Sequence, residues 1–203
     1  MSDFEQRLAR LNALEEHVRV CTRCQLSATR THAVPGEGPV DASIIFIGEG
    51  PGYHEDQTGR PFVGAAGQLL EQLLASIALS REDVYIANVV KCRPPRNRDP
   101  LPEEIQTCKS YLAHQLRTID PELIVTLGRF AMERWFPHKR ITRVHGQAFP
   151  YYHRLIVPMF HPAAALRHAK WRIALEQDFL RLPHFLEQAR VLRANVLAAA
   201  TSK

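Results

Sequence analysis

The sequence predicts a three-layer α/β/α domain, with helices on both faces of a central four-stranded, mainly parallel sheet. Three observations predict it. Four short apolar runs, SIIFIG (43–48), VYIANVVK (84–91), ELIVTLG (122–128) and RLIVPMF (154–160), have the length and β-branched content of strands buried on both faces. Helical segments separate them, as parallel crossovers require. The unusual polar loops follow carboxyl ends of these strands, where open parallel sheets bind ligands.

Residues 3–18 open the chain as an amphipathic helix, with Phe4, Leu8, Leu11, Leu14 and Val18 at helical spacing. The stretch TRTHAVPGEGPVD (29–41) is rich in turn residues and predicts an irregular connection into the first strand. A Gly/Pro-rich loop follows that strand, then a helix from about Gly64 through LLEQLLASI. LPEEIQTCKSYLAHQLRTI is a helix, with Pro102 near its first turn and Glu103 and Glu104 facing the positive end of its dipole. GRFAMERWF makes a short helix after the third strand, and GQAFPYYH can form a hairpin arm with the fourth. From Trp171 the chain reads as helix, broken or kinked near Pro183, with residues 190–203 as a frayed tail. A single domain spanning 1–203 is expected, with no repeat or low-complexity linker.

Hydrophobic residues make up 45% of the 203 and charged ones 23%, ordinary for a globular protein. No apolar run reaches membrane-spanning length and no signal segment opens the chain, so the cytoplasm, with reduced thiols, is the expected compartment. The net charge is +5. The cations gather in three clusters: Lys91, Arg93, Arg96 and Arg98; Lys139, Arg140 and Arg143; Arg167, Lys170 and Arg172. Their placement beside candidate site loops points to a phosphate backbone as partner.

Cys21 and Cys24 form a tight Cys-x-x-Cys pair, and Cys92 and Cys108 a wider one, with no histidine beside any of the four. Four thiolates brought together in this way can cage a metal or an iron–sulfur centre and staple the N-terminal helix to the middle of the fold. The pattern alone leaves the metal open.

Three segments carry further chemistry. GEGPGYHEDQTGRPFVG (48–64) places glycines at 48, 50 and 52, which let backbone amides approach a ligand closely. It matches neither a Walker loop nor GxGxxG, so a tight strand-to-helix turn competes with a binding loop. Glu49, Glu55 and Asp56, followed by Phe62, favour the binding loop. Asn88 lies in the apolar strand IANVV, where asparagine is costly without partners. A turn-capping role competes with a carboxamide that offers one acceptor and one donor, complementary to the N3–H and C4 carbonyl of uracil and mismatched to cytosine. His161 follows a strand and precedes a proline, so a stiff backbone anchors its ring.

Taken together, GEGPG…TGRPFVG, NVVKCRPP and MFHPAAAL, in this order and with this cysteine layout, resemble the family 4 (thermostable, iron–sulfur) uracil-DNA glycosylases. The resemblance runs from about Cys21 to Leu166. It implies their α/β/α fold and a monofunctional hydrolase of base-excision repair. Such an enzyme would cleave the N-glycosidic bond of deoxyuridine in DNA, release uracil and leave an abasic site. It also implies a [4Fe–4S] cluster on Cys21, Cys24, Cys92 and Cys108, zinc being the second choice, and a structural role in pinning KCRPPRNRDP. By resemblance, Phe62 stacks on the flipped base, Asn88 reads it, and His161 donates towards uracil O2. Glu49, Gly50 and Pro51 line the base and the attacking water, with Glu49 and His161 as the catalytic pair. Glu55 sits near uracil C5. Arg93, Arg96 and Arg98 would contact DNA, and Leu166 or Arg167 would fill the vacated stack. The expected partner is uracil-containing DNA, met by a monomer in a bacterial or archaeal cytoplasm, with no membrane.

Rival readings are a uracil-binding relative trapped covalently on DNA, a non-catalytic iron–sulfur DNA-binding or redox module, and a zinc-bearing nucleotide-binding protein. The first needs a histidine in an inserted basic loop, and no histidine lies between Asn88 and His114.

Overall fold

The computed structural model describes residues 2–201. Its sheet contains β1 (Ile44–Gly48), β2 (Tyr85–Asn88), β3 (Leu123–Leu127), β4 (Phe149–Tyr151) and β5 (Arg154–Met159), in the order β2-β1-β3-β5-β4. β1, β2, β3 and β5 are parallel, and β4 runs antiparallel to β5. The sheet therefore has five strands rather than the expected four. The hairpin arm supplies the fifth, a three-residue edge strand with an internal proline, a position where a missing N–H is tolerated.

Helices α1 (Asp3–Arg19), α2 (Tyr53–Thr58), α3 (Ala65–Ala75), α4 (Pro102–Ile119), α5 (Arg129–Glu133), α6 (Ile141–Val144), α7 (Pro162–Ala165), α8 (Ala169–Leu180) and α9 (Leu182–Thr201) connect and cover the sheet. Alternation along β1 divides the core. Ile44 and Phe46 pack with α3, α8 and α9, whereas Ile45 and Ile47 pack with α1 and α4. Phe46 lies flat against Phe179 of α8, with ring centroids 5.6 Å apart. Burying both faces of one strand is what makes the run continuously apolar.

α1 buries Leu11 and Val18, while Phe4 and Leu8 stay exposed. The expected apolar face is thus only half used. Arg7 replaces part of it, donating to the carbonyls of Thr118, Ile119 and Val40 at 2.5–2.9 Å. Its guanidinium satisfies acceptors that the end of α4 leaves open.

Two further differences have local causes. The second strand stops at Asn88, where the regular ladder ends and successive amides bond to successive carbonyls: Val89 and Val90 donate to Gly48 and Glu49 at 2.9 and 3.1 Å. The tail expected to fray from 190 is helical to Thr201. Pro183 occupies the first turn of α9, where it breaks no hydrogen bond. Arg193 then ties the helix to the Asp120 carbonyl at 2.9 Å and to its carboxylate. Residues 202 and 203 lie outside the described residues.

β2 is an edge strand, and the irregular segment before β1 covers it. Glu37 and Ile86 exchange two backbone hydrogen bonds of 2.9 and 2.7 Å. Gly38, at φ 135°, lies so close that a Cβ there would meet the Val84 carbonyl at 2.2 Å. Among the described residues no helix is long and apolar enough to cross a membrane.

Candidate functional site

The carboxyl ends of β1, β2 and β5 converge on a cavity of about 260 Å³. Glu49, Gly50, Pro51, Glu55, Phe62, Asn88 and His161 line it. These are the residues that the sequence separates over more than a hundred positions.

Asn88 ends β2 directly opposite Gly48 of β1. A Cβ at Gly48 would lie 2.4 Å from Asn88 Oδ1 and 2.6 Å from the Phe62 ring. Only glycine lets the carboxamide and the aromatic ring approach each other here. Asn88 is 2% exposed, and its Oδ1 has no hydrogen-bond partner. Leaving such an acceptor unpaired costs about 1–3 kcal/mol. A buried acceptor without a partner at a cavity wall calls for an explanation, and a donor from a bound ligand would supply one. The Asn88 backbone carbonyl is fixed from below by Lys91 Nζ at 2.9 Å. Lys91 also donates to Gln115 Oε1 at 2.6 Å, and burial pushes its ammonium down to about 8.

Phe62 is buried and adopts φ 53°, a left-handed conformation unusual for a bulky residue. Its ring stacks on the His161 imidazole with centroids 5.5 Å apart and planes 25° apart. His161 caps the start of α7, where Nδ1 accepts the Ala163 amide at 3.1 Å. In a neutral ring that acceptor leaves the proton on Nε2. Burial pushes the imidazole down to about 4, so it is neutral at physiological pH.

Glu49 is one of two acids that line the pocket. Burial, reinforced by the charge of Asp99, pushes its carboxyl up to about 7, while Arg129 pulls against them. Asp99 and Arg129 form an ion pair. The sequence reading missed both. The available signal was the rule applied to the other strands: Gly128–Arg129 follows the carboxyl end of β3.

The remaining acids of the loop are committed to the backbone. Glu55 caps α2 through the Gly52 amide at 3.0 Å, and its other oxygen accepts the Val63 and Gly64 amides at 2.8 and 3.0 Å. Asp56, grouped with the ligand-facing acids on sequence, is buried and accepts the Thr31 amide at 2.9 Å. It anchors the covering segment and does not line the cavity.

Of the cations, Arg98 and Arg167 line the cavity. Arg98 is bound at both terminal nitrogens by buried Glu104, at 2.7 and 2.9 Å, so it braces its loop. Arg93 lies over the Tyr53 ring at 5.1 Å and donates to Asn97 at 2.7 Å. Arg96 stands exposed at φ 56°, and Leu166 is 45% exposed beside α7. Arg93, Arg96 and Leu166 do not line the cavity. Gly52, Ala66, Pro94, Asn97 and Ala163 complete the wall.

Cys21, Cys24, Cys92 and Cys108 converge on a second, small cavity between α1 and α4. None of the four is in a disulfide. Arg30 reaches Cys92 Sγ at 3.0 Å, and Arg23 lies over Tyr111 at 4.3 Å with a hydrogen bond to Ser110 Oγ at 3.0 Å. Burial opposes ionisation of Cys21, yet hydrogen bonds with Tyr111 and Arg23 hold its thiol below the ordinary value. Among the described residues no group of three or more His, Cys, Asp or Glu side chains is drawn together tightly enough for a single metal ion. An all-thiol donor set ringed by Arg23, Arg30 and Lys91 nonetheless has the chemistry to hold an anionic thiolate-bound group.

Fold and cavity define a three-layer α/β/α protein with a polar-walled pocket at the carboxyl-end crevice of a mainly parallel sheet. The chain belongs to the uracil DNA glycosylase superfamily, whose family model matches residues 35–187. It is 45% identical to the type-4 uracil-DNA glycosylase of Archaeoglobus fulgidus, over 85% of this chain and 91% of that protein. The type-4 uracil-DNA glycosylase of Thermotoga maritima is 47% identical, over 88% and 95% of the two chains. That of Saccharolobus solfataricus is 43% identical, over 95% and 94%.

Proposed function

We propose that the chain is a monofunctional uracil-DNA glycosylase of base-excision repair, acting by hydrolysis on deoxyuridine in DNA. Its relatives over most of both chains are type-4 uracil-DNA glycosylases. The observation that carries the reading is the unpaired Asn88 Oδ1 beside Phe62 and a neutral His161. A flipped uracil supplies N3–H to that oxygen, and its O4 accepts from the amide nitrogen, while cytosine offers the opposite pattern.

The chemistry follows from the same groups. The C1′–N1 bond breaks with its electron pair passing to the base, where charge spreads onto O2. His161 Nε2–H, already protonated in the neutral ring, donates to that oxygen as charge develops. Water forms the new bond to C1′ and loses its proton to ionised Glu49. Gly50 and Pro51 shape the wall beside the base, and Glu55 holds that wall rigid. No lysine lines the cavity among the described residues, which accords with hydrolysis rather than Schiff-base chemistry. Arg98 and Arg167 on the cavity lining, with Arg93, Arg96 and Leu166 outside it, fit contact with the DNA backbone and the vacated stack.

We infer that the four cysteines hold a [4Fe–4S] cluster. When bound, it would supply four iron–thiolate links joining α1, the Lys91–Arg98 loop and α4. The all-cysteine donor set and its cationic surround suit this occupant, and the fifteen-residue gap between Cys92 and Cys108 departs from the short knuckles of structural zinc. The purified protein is expected to be brown, with broad absorption near 400 nm and about four iron atoms per chain. A colourless, zinc-loaded protein would refute it.

The activity test is a uracil-containing oligonucleotide incubated with protein and then treated with alkali. Strand scission should require both the uracil and the alkali. A denaturant-resistant protein–DNA adduct without free uracil would instead favour the covalently trapped relative.

Because Glu49 must be ionised, kcat is expected to rise as pH climbs through about 7. Glu49→Gln should flatten that profile and lower the plateau about 100-fold or more. The stability effect has the opposite sense. A carboxyl raised from 4.5 to about 7 favours the folded state only while protonated. That contribution is complete below 4.5 and disappears as pH rises through 7. Glu49→Gln should therefore melt higher than the parent at pH 8 and alike near pH 4.

A further inference from the structure

The left-handed backbone of Phe62 is held from both sides by charged groups distant in sequence. Behind it, the amides of Val63 and Gly64 are bound by Glu55. Ahead of it, Arg81 donates Nη2 to the Pro61 carbonyl at 2.6 Å and Nη1 to the Phe62 carbonyl at 2.8 Å. The Arg81 side chain is 12% exposed and is itself steadied by Glu37 at 3.3 Å and Glu71 at 3.4 Å. Gly67 of α3 completes the enclosure, since a Cβ there would lie 1.8 Å from the Phe62 carbonyl oxygen.

A bulky residue leaves the left-handed region unless its surroundings prevent it. A guanidinium fork on two successive carbonyls fixes the peptide plane as well as the position of Phe62. The fork also has a second reference point. Glu37, which holds Arg81, is bonded through its backbone to Ile86 of β2, two residues before Asn88. One chain of contacts, Ile86–Glu37–Arg81–Phe62, therefore runs between the strand that carries the carboxamide and the ring that faces the base.

We propose that Arg81 is a positioning residue for base recognition: it holds the Phe62 ring in register with Asn88 without touching substrate. This rests on the uracil reading of the pocket. Displacing a recognition group by about 1 Å can cost up to 100-fold in rate, so losing the fork should act on the base rather than on the DNA backbone.

The test compares the parent, Arg81→Met and Arg81→Lys with Arg60→Met, which removes only the exposed partner of Glu37. Three quantities are measured: kcat/KM on uracil-containing single-stranded DNA, inhibition by free uracil, and affinity for abasic-site DNA. Arg81→Met should lower kcat/KM by about 10- to 100-fold and raise the uracil Ki by about tenfold or more. Abasic-site affinity should stay within twofold. Arg81→Lys should recover part of both losses, and Arg60→Met should match the parent. If Arg81→Met does not fold, Arg81→Lys and Glu37→Gln carry the same comparison. Uracil inhibition unchanged in the folded Arg81 variants, or abasic-site affinity falling in parallel, would overturn the proposal. A parent that releases no uracil would instead overturn the functional reading.

Discussion

His161→Ala should lower kcat by about 100- to 1,000-fold, the usual cost of removing one fixed donor to a developing oxyanion. KM and affinity for abasic-site DNA should change little, because the donor strengthens its bond only as charge reaches uracil O2. The structure sharpens the expectation. Nδ1 accepts from the Ala163 amide and burial pushes the ring down to about 4, so the active form is neutral. The parent rate should then show no histidine titration between pH 5 and 8, leaving Glu49 as the group that shapes the profile. His161→Gln, which restores an N–H of different reach, should recover only part of the loss. A parallel loss of DNA affinity would assign the ring a structural role in seating α7 and Phe62.

Asn88→Asp should cost uracil excision on the order of 100-fold and erode discrimination against cytosine. Aspartate keeps an acceptor for N3–H but loses the donor to O4, and an ionised carboxylate would face that oxygen unpaired. Protonated, it would present a donor to cytosine N3 and an acceptor to the exocyclic amine. Burial at 2% exposure favours that protonated form, so any cytosine release should grow towards acidic pH. Parallel assays on uracil- and cytosine-containing single strands read both effects. Unchanged selectivity would remove Asn88 from base reading.

Much of the fold was legible because its determinants are local. The four parallel strands are short apolar runs, and Pro102 and Glu104 mark the start of α4. β4 was harder: Phe149–Tyr151 is partly exposed and interrupted by proline, so only its pairing with β5 makes it a strand. The helical tail depends on Arg193 reaching Asp120, 73 residues away, and nothing near the tail announces it.

The pocket divides in the same way. Phe62, Asn88 and His161 stand out because each is an unlikely residue in its local setting. The Asp99–Arg129 pair that conditions Glu49 spans 30 residues, and each member alone is an ordinary loop charge. Asp56 misled for the complementary reason: an acid in a Gly-rich loop looks like a ligand, but its partner is the Thr31 amide.

The cover over β2 bears on solubility as well as shape. The strand that ends in Asn88 is outermost in the sheet, and its free side is closed chiefly by the Glu37 bridge. Exposed edges of this kind invite pairing with other chains. Enlarging Gly38 would lift the strip from Val84 and bare that side, so the first symptom of damage there should be self-association, ahead of any defect in base excision.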